Sequence, residues 1–267
     1  MKNILPMVLI LLISACATTP SGDSRLMLVS SEQMNQMGVT TFQQIKTAQK
    51  ISTDFRQRKY VECVSYAIIN ALPQQWSNMN WEVVVFEDDS ANAFALPGGK
   101  IGVHSGLLKV AETQSQLATV IGHEIAHVLW EHGNQRVSLQ MLAQTGLQVA
   151  DVMSQQKIEG SAGRQMLMAG LGLGAQVGVM LPFSRDHEKE ADRFGLHFMA
   201  AAGFDPTESV QLWQNMDKAS AGKRPPEFLS THPQPENRIE KLNKFMAKAL
   251  SYQNEAKQRG LNPQCSL

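Results

Sequence analysis

Two histidines four residues apart, His123 and His127, with Glu124 beside the first, restrict this chain more than any other feature in it. On a helix such a pair projects about 40° apart around the axis, so both imidazoles can grip one metal ion. Glu124 then reaches water held on that ion. Zinc lowers the pKa of such water to roughly 7, and a carboxylate at hydrogen-bond distance can take its proton during attack on a carbonyl. The pattern only works on a helix, and its flanks supply one. Thr113-Gln114-Ser115-Gln116 has the form of a capping box, and Leu117, Val120, Ile121, Ile125 and Val128 follow at helical spacing. Gly133 is the expected stop, so a helix is expected over residues 113–132.

The spacing H-E-x-x-H is the signature of zinc peptidases, and the third ligand decides which kind. The extension that carries a glycine and a third histidine fails here, because Trp130 and Gly133 occupy those positions. His132 follows His127 by five residues, more than about 100° round a continuous helix, and reads as a solvated or locally packed histidine. Further on, Glu188 and Asp192 stand four apart on an expected second helix. The first could bind zinc while the second accepts a hydrogen bond from the outer N–H of a ligand histidine. The same string also describes a charged, solvated helix face.

H-E-x-x-H followed about sixty residues later by E-x-x-x-D, inside Ser184-Arg185-Asp186-His187-Glu188-Lys189-Glu190-Ala191-Asp192, resembles the M48 metallopeptidases, the Ste24, HtpX and Oma1-like group. Asn92-Ala93-Phe94-Ala95-Leu96-Pro97-Gly98-Gly99, Ser105-Gly106-Leu107-Leu108 and His232-Pro233-Gln234-Pro235-Glu236-Asn237-Arg238 are similar to that family and stand in its order. The matches run from about residue 41 to residue 247. The resemblance implies His123, His127 and Glu188 as ligands of one zinc, Glu124 as general base and Asp192 as the supporting carboxylate. Glu190 is the rival third ligand, but two residues along a helix it points about 200° away from Glu188. The resemblance also brings the His232 loop towards the site. There His232 would either stabilise the oxyanion of the tetrahedral intermediate or occupy the open metal position in a latched state.

Upstream, Glu82–Phe86 is rich in β-branched residues, and residues 92–96 and Lys100–His104 flank a Pro-Gly-Gly turn. A small antiparallel sheet with a hairpin at residues 97–100 is expected beside the zinc helix. An edge strand there, with Asn92, Ala93, Phe94 and Ala95, would bind an extended substrate by strand addition, which reads main chain more than side chains. His104 on this hairpin reads as a surface or packed residue. Helices are expected over residues 41–72, 186–202, 205–216 and 235–250, giving a mostly helical α+β, zincin-like (gluzincin-type) domain over residues 41–250. Between the two metal-binding helices, residues 165–183 carry no charge and are rich in glycine. They read as a buried or lid-forming helical segment within 134–184.

The N-terminus reads as a signal peptide over residues 1–15: Lys2, then an apolar run too short to span a bilayer comfortably. Ile13-Ser14-Ala15-Cys16 resembles a bacterial lipobox, with Cys16 acylated; cleavage after Ala15-Cys16-Ala17 is the alternative. Ala17, by analogy with lipoprotein sorting, points to the outer membrane, and residues 16–40 read as a lipidated tether. Cys63 and Cys265 remain, a pair able to form a disulfide in an oxidising compartment or to stay as thiols. The net charge is zero and no basic cluster of nucleic-acid type is present. The expectation is a periplasm-facing, membrane-anchored zinc endopeptidase acting on unfolded or misfolded envelope proteins. The alternative is a chaperone-like assembly factor with latent or minor proteolysis.

Overall fold

The apolar residues around His123 and His127 bury the helix that carries them on every side. The computed structural model describes residues 16–155, 183–220, 227–233 and 237–267. In chain order the elements are β1 (Cys16–Thr18), β2 (Ser24–Leu26), α1 (Ser31–Ala48), α2 (Phe55–Ala71), a short α3 (Gln74–Ser77), β3 (Glu82–Phe86), β4 (Ala93–Leu96) and β5 (Lys100–His104). After a 3₁₀ turn at Ser105–Lys109 come α4 (Gln114–Leu129), α5 (His132–Gln155), α6 (Arg185–Ala201), α7 (Glu208–Ser220), α8 (Glu227–Thr231) and α9 (Arg238–Gln258). The protein is mostly helical with a small sheet, as the sequence implies.

α4 is the axis of the core. Thr113 Oγ1 accepts from the Gln116 N–H, and every residue from Ser115 to Leu129 is buried. Leu117, Ile121 and Ile125 pack with Val61, Val64 and Ile68 of α2, Ile101 and Val103 of β5, Leu196 and Met199 of α6, and Trp213 of α7. Each such fully buried aliphatic side chain contributes about 1.5–3 kcal/mol relative to exposure. The expected stop at Gly133 is a correction. α4 ends at Leu129, Glu131 takes φ 51°, and Gly133 lies inside α5. Ser31 Oγ and Asn134 Nδ2 both donate to the Glu131 carboxylate and hold this left-handed break in place of a glycine.

The sheet is mixed rather than antiparallel. Its order is β3-β5-β4, with β3 parallel to β5 and β4 antiparallel to it, Ala93 facing Val103 and Leu96 facing Lys100. The turn at Gly98 and Gly99 (φ 82° and 74°) sends β5 back between its two predecessors, so β5 is central and wholly buried. Its polar ends have partners: Lys100 Nζ donates to the Asn80 carbonyl, and His104 Nδ1 lies 2.7 Å from Ser90 Oγ. His104 is thus the packed residue of the two readings. The outer side of β3 is covered by residues 50–52, where Ser52 N–H donates to the Val85 carbonyl and Glu87 N–H to the Lys50 carbonyl. β4 is left as the edge beside α4.

Residues 16–40 contain regular elements of their own. β1 and β2 pair antiparallel, and α1 begins at Ser31 behind a complete capping box of Ser30 and Gln33. Met34 and Phe42 supply its buried face; Phe42 meets Phe86 and Phe94 edge-on, both at 6.3 Å. Polar Gln and Asn on the other face had disguised an amphipathic helix. At the other end of the chain α9 continues to Gln258. Beyond it, Cys265 is bonded to Cys63 across 202 residues of chain, and Gln114 holds the same tail through the Pro263 carbonyl and the Cys265 N–H. Such links typically contribute about 2–4 kcal/mol. Residues 1–15 and 156–182, with most of the expected lid, and Pro235 lie outside the described residues. Among those described, no helix is long and apolar enough to cross a membrane.

Candidate metal centre

His123 and His127 leave α4 on one face, each with Nε2 directed at a common point. Glu188, in the first turn of α6, meets them there. Its carboxylate lies 3.6 Å from His123 Nε2 and 3.4 Å from His127 Nε2. Ser184 caps α6 by accepting from the His187 N–H, which fixes where that first turn falls. His232, just past α8, completes the group: its Nδ1 is 3.0 Å from Glu188 Oε1 and 3.3 Å from His123 Nε2. Ligand atoms of His123, His127, Glu188 and His232 all lie within 4.8 Å of one another, and all four residues are buried.

α4 and α6 come close enough for this because two glycines meet. A Cβ added at Gly122 would stand 2.6 Å from the Gly195 carbonyl oxygen, and one at Gly195 would stand 2.6 Å from the His123 nitrogen. The backbones are in contact.

Electrostatics favour a cation here. Burial acts to raise the Glu188 pKa, but His232, His123 and the hydrogen bond from His127 overcome it and hold the carboxyl well below its ordinary value. Burial pushes His127 well below the ordinary histidine value, leaving it neutral and able to ligate. For His123 burial also lowers the pKa, yet the Asp192 hydrogen bond and nearby carboxylates outweigh it, so positive charge is favoured at the centre. Two imidazoles facing an ionised carboxylate are a donor set suited to zinc. The outer nitrogen of His123, Nδ1, lies 3.0 Å from Asp192 Oδ1. That contact fixes the ring so that Nε2 faces inward.

Glu124 sits beside this cluster on the sheet side. Its Oε2 accepts from the Ala95 N–H of β4 at 3.0 Å. Among the described residues Oε1 has no hydrogen-bond partner, and it lies 3.3 Å from His232 Nε2. Burial raises the Glu124 pKa, with His232 and His123 pulling the other way without cancelling it. A carboxylate so placed can take up and release a proton at the centre.

The chain matches the family described as Peptidase family M48 over residues 55–246. It is a member of that family. Its relatives include the mitochondrial metalloendopeptidase OMA1 of Schizosaccharomyces pombe, 35% identical over 175 residues, covering 65% of this chain and 49% of that one. The beta-barrel assembly-enhancing protease of Escherichia coli K12 is 30% identical over 234 residues, covering 85% of this chain and 46% of the relative. The M48 chain thus spans about half the length of the curated relatives it matches.

Other residues of this M48 chain fall into place around the cluster. Glu190 faces away from the metal ligands and lies 3.3 Å from His132 Nε2. His132 is locally packed, fully buried, with Nδ1 2.9 Å from His127 Nδ1. Arg238 has no role assigned from sequence. At the start of α9 it donates from Nε to Asp192 Oδ2 at 2.8 Å and from Nη2 to Glu188, while lying 3.9 Å over the Trp213 ring. Its place at the end of the His232–Arg238 string was the available signal. Beside Glu124 and His127 opens a cavity of about 610 Å³, bounded by Met34, Met37, Trp76, Met79, Leu96 and Val128. Asn92, Phe94 and Ala95 line it as well.

Proposed function

We propose that this protein is a zinc endopeptidase that cuts extended segments of unfolded or misfolded envelope polypeptides. The observation that carries the reading is Glu124, with one oxygen on the Ala95 N–H and the other, without a hydrogen-bond partner among the described residues, beside the ligand cluster. His123, His127 and Glu188 would hold zinc, which supplies a Lewis acid for the scissile carbonyl and acidifies water. Glu124 Oε1 takes the proton from the attacking water and passes it to the leaving amine. The raised pKa of Glu124 suits a group that carries a proton between those steps. Asp192 and Arg238 keep the His123 ring and the Glu188 carboxylate aligned. Among the described residues β4 is the edge strand of the sheet. Its segment Asn92, Ala93, Phe94 and Ala95 can pair with substrate main chain through the groups that His104 and Glu124 leave open, the Ala95 N–H being held by Glu124. The adjoining cavity, lined by Met34, Trp76, Met79 and Val128 but also by Asn35, Glu131 and Arg136, has room for a substrate side chain with both apolar and polar parts. Purified protein is expected to carry one zinc and to digest an unfolded test protein; a chelator should stop digestion and added zinc restore it. A sample that takes up no zinc would end the proposal.

Placement in the cell envelope follows from the lipobox-like Ile13-Ser14-Ala15-Cys16, read as a lipid anchor at Cys16 facing the periplasm from the outer membrane. A relative named for enhancing beta-barrel assembly agrees with that compartment. Of the two readings of His232, the geometry favours the latch. Nδ1 lies among the ligand atoms, where an open metal position is needed for a substrate carbonyl. His232→Ala is expected to keep zinc and to increase cleavage of an unfolded protein severalfold. Loss of zinc from that variant would overturn the latch, and a fall in cleavage with zinc retained would favour oxyanion stabilisation.

A further inference from the structure

His127 is supported differently from His123. Asp192 of the E-x-x-x-D motif holds the outer nitrogen of His123. The outer nitrogen of His127 meets another imidazole, that of His132, at 2.9 Å. Given that His127 ligates through Nε2, its proton sits on Nδ1 and must be donated to His132 Nδ1. His132 then carries its own proton on Nε2, which faces Glu190 Oε2 at 3.3 Å. Glu190 in turn accepts from Arg25 Nη2 at 3.3 Å and from Ser21 Oγ at 3.3 Å. The direction is set from His127 through His132 to Glu190 and from Arg25 to Glu190, while the single Ser21 hydroxyl proton is shared between Glu190 and Asp23 Oδ2, which lies at 3.1 Å.

We infer that residues 21–25, on the segment that follows Cys16, complete the metal centre. Arg25 and Ser21 fix Glu190, Glu190 fixes His132, and His132 orients His127. The inference rests on the zinc reading above. His132 is able to do this because the left-handed Glu131 ends α4 and swings the next residue back against His127. The His132 ring is fully buried and stacked on His187 at 4.5 Å, and His187 Nε2 is in turn 3.0 Å from Gln135 Oε1. The arm itself is pinned: Leu28 N–H donates to Ser138 Oγ at 2.7 Å, Asn134 Nδ2 to the Val29 carbonyl at 2.7 Å, and Trp130 Nε1 to Ser21 Oγ at 3.3 Å. Arg25 Nη2 lies closer to Glu190, the carboxylate that touches His132 among the described residues, than to its sequence neighbour Asp23, at 3.3 Å against 3.6 Å.

The test is zinc affinity by chelator competition, with cleavage kinetics and unfolding of the zinc-free form, on the full chain. His132→Phe fills the space without an acceptor and is expected to weaken zinc binding about 10–100-fold, the usual effect of losing such a support. His132→Asn, whose Oδ1 can stand near the lost Nδ1, should recover part of that. Arg25→Ala and Glu190→Gln should each weaken zinc severalfold and lower kcat with KM unchanged. The zinc-free variants should unfold at the wild-type temperature. Wild-type zinc affinity in His132→Phe and Arg25→Ala overturns the inference and leaves the zinc reading intact. A wild-type chain that binds no zinc removes both. Variants that lose zinc-free stability while keeping zinc affinity mark the chain of contacts as packing alone, and that also overturns it.

Discussion

Glu124→Gln is expected to hold one zinc per chain, fold as the wild type does, and cleave an unfolded protein about 10²–10⁴-fold more slowly. The substitution is nearly isosteric. A glutamine carbonyl oxygen can still accept from the Ala95 N–H, so the link between α4 and β4 survives. The ligand atoms of His123, His127 and Glu188 are untouched, so metal content should not move. Burial disfavours the ionised form of Glu124, and a neutral amide avoids that penalty; stability is expected to stay level or rise. What disappears is a site able to accept and return a proton beside the metal. Zinc analysis, thermal unfolding and timed digestion decide it. Undiminished cleavage would remove Glu124 from the chemistry. The same variant separates the enzyme from the assembly-factor alternative: cellular function that survives without cleavage favours a binding role.

Residues within one helical turn of one another were legible in the sequence. His123, Glu124 and His127 declare themselves by spacing, whereas Glu188 and Asp192, whose spacing equally fits a solvated helix face, were singled out only by the resemblance to the M48 family. What escaped depends on where chain segments cross. A five-residue step from His127 places His132 on the far side of a continuous helix, but the left-handed Glu131 breaks the helix and reverses that geometry. No sequence periodicity reports such a break, because glutamate rarely adopts that conformation. Arg238 touches Glu188 and Asp192 from about fifty residues away, a contact made by folding alone. The sheet strands were placed correctly along the chain, whereas the sheet is mixed rather than antiparallel, with β3 parallel to β5. A hairpin signal gives the β4–β5 pairing, and only burial of the central strand, unusual for one ending in Lys100 and His104, reveals that β5 lies between the others.

Gly195→Val should be the most damaging single change on α6, although it removes no ligand. Even the first carbon of a side chain at this position would stand 2.7 Å from the Gly122 carbonyl carbon and 2.6 Å from the His123 nitrogen. Both neighbours are helix backbone, which cannot rotate aside as a flexible side chain can. Relief requires α6 to move off α4 by an ångström or more. That movement would stretch the 3.0 Å contact of His123 with Asp192 and open the gap between Glu188 and both histidines. Overpacking a core in this way costs about 1–3 kcal/mol when side chains can adjust, and the expected loss here lies at or above the upper end. Zinc binding should fall with it, because the two helices carry different ligands of one ion. Gly133→Ala serves as the control: its added methyl meets nothing closer than Pro97 Cγ at 3.8 Å, and alanine favours α5 by about 0.5–1 kcal/mol. Thermal unfolding and zinc content of the two variants test the argument. If Gly195→Val binds zinc and unfolds like the wild type, the close crossing of α4 and α6 is not what assembles the centre.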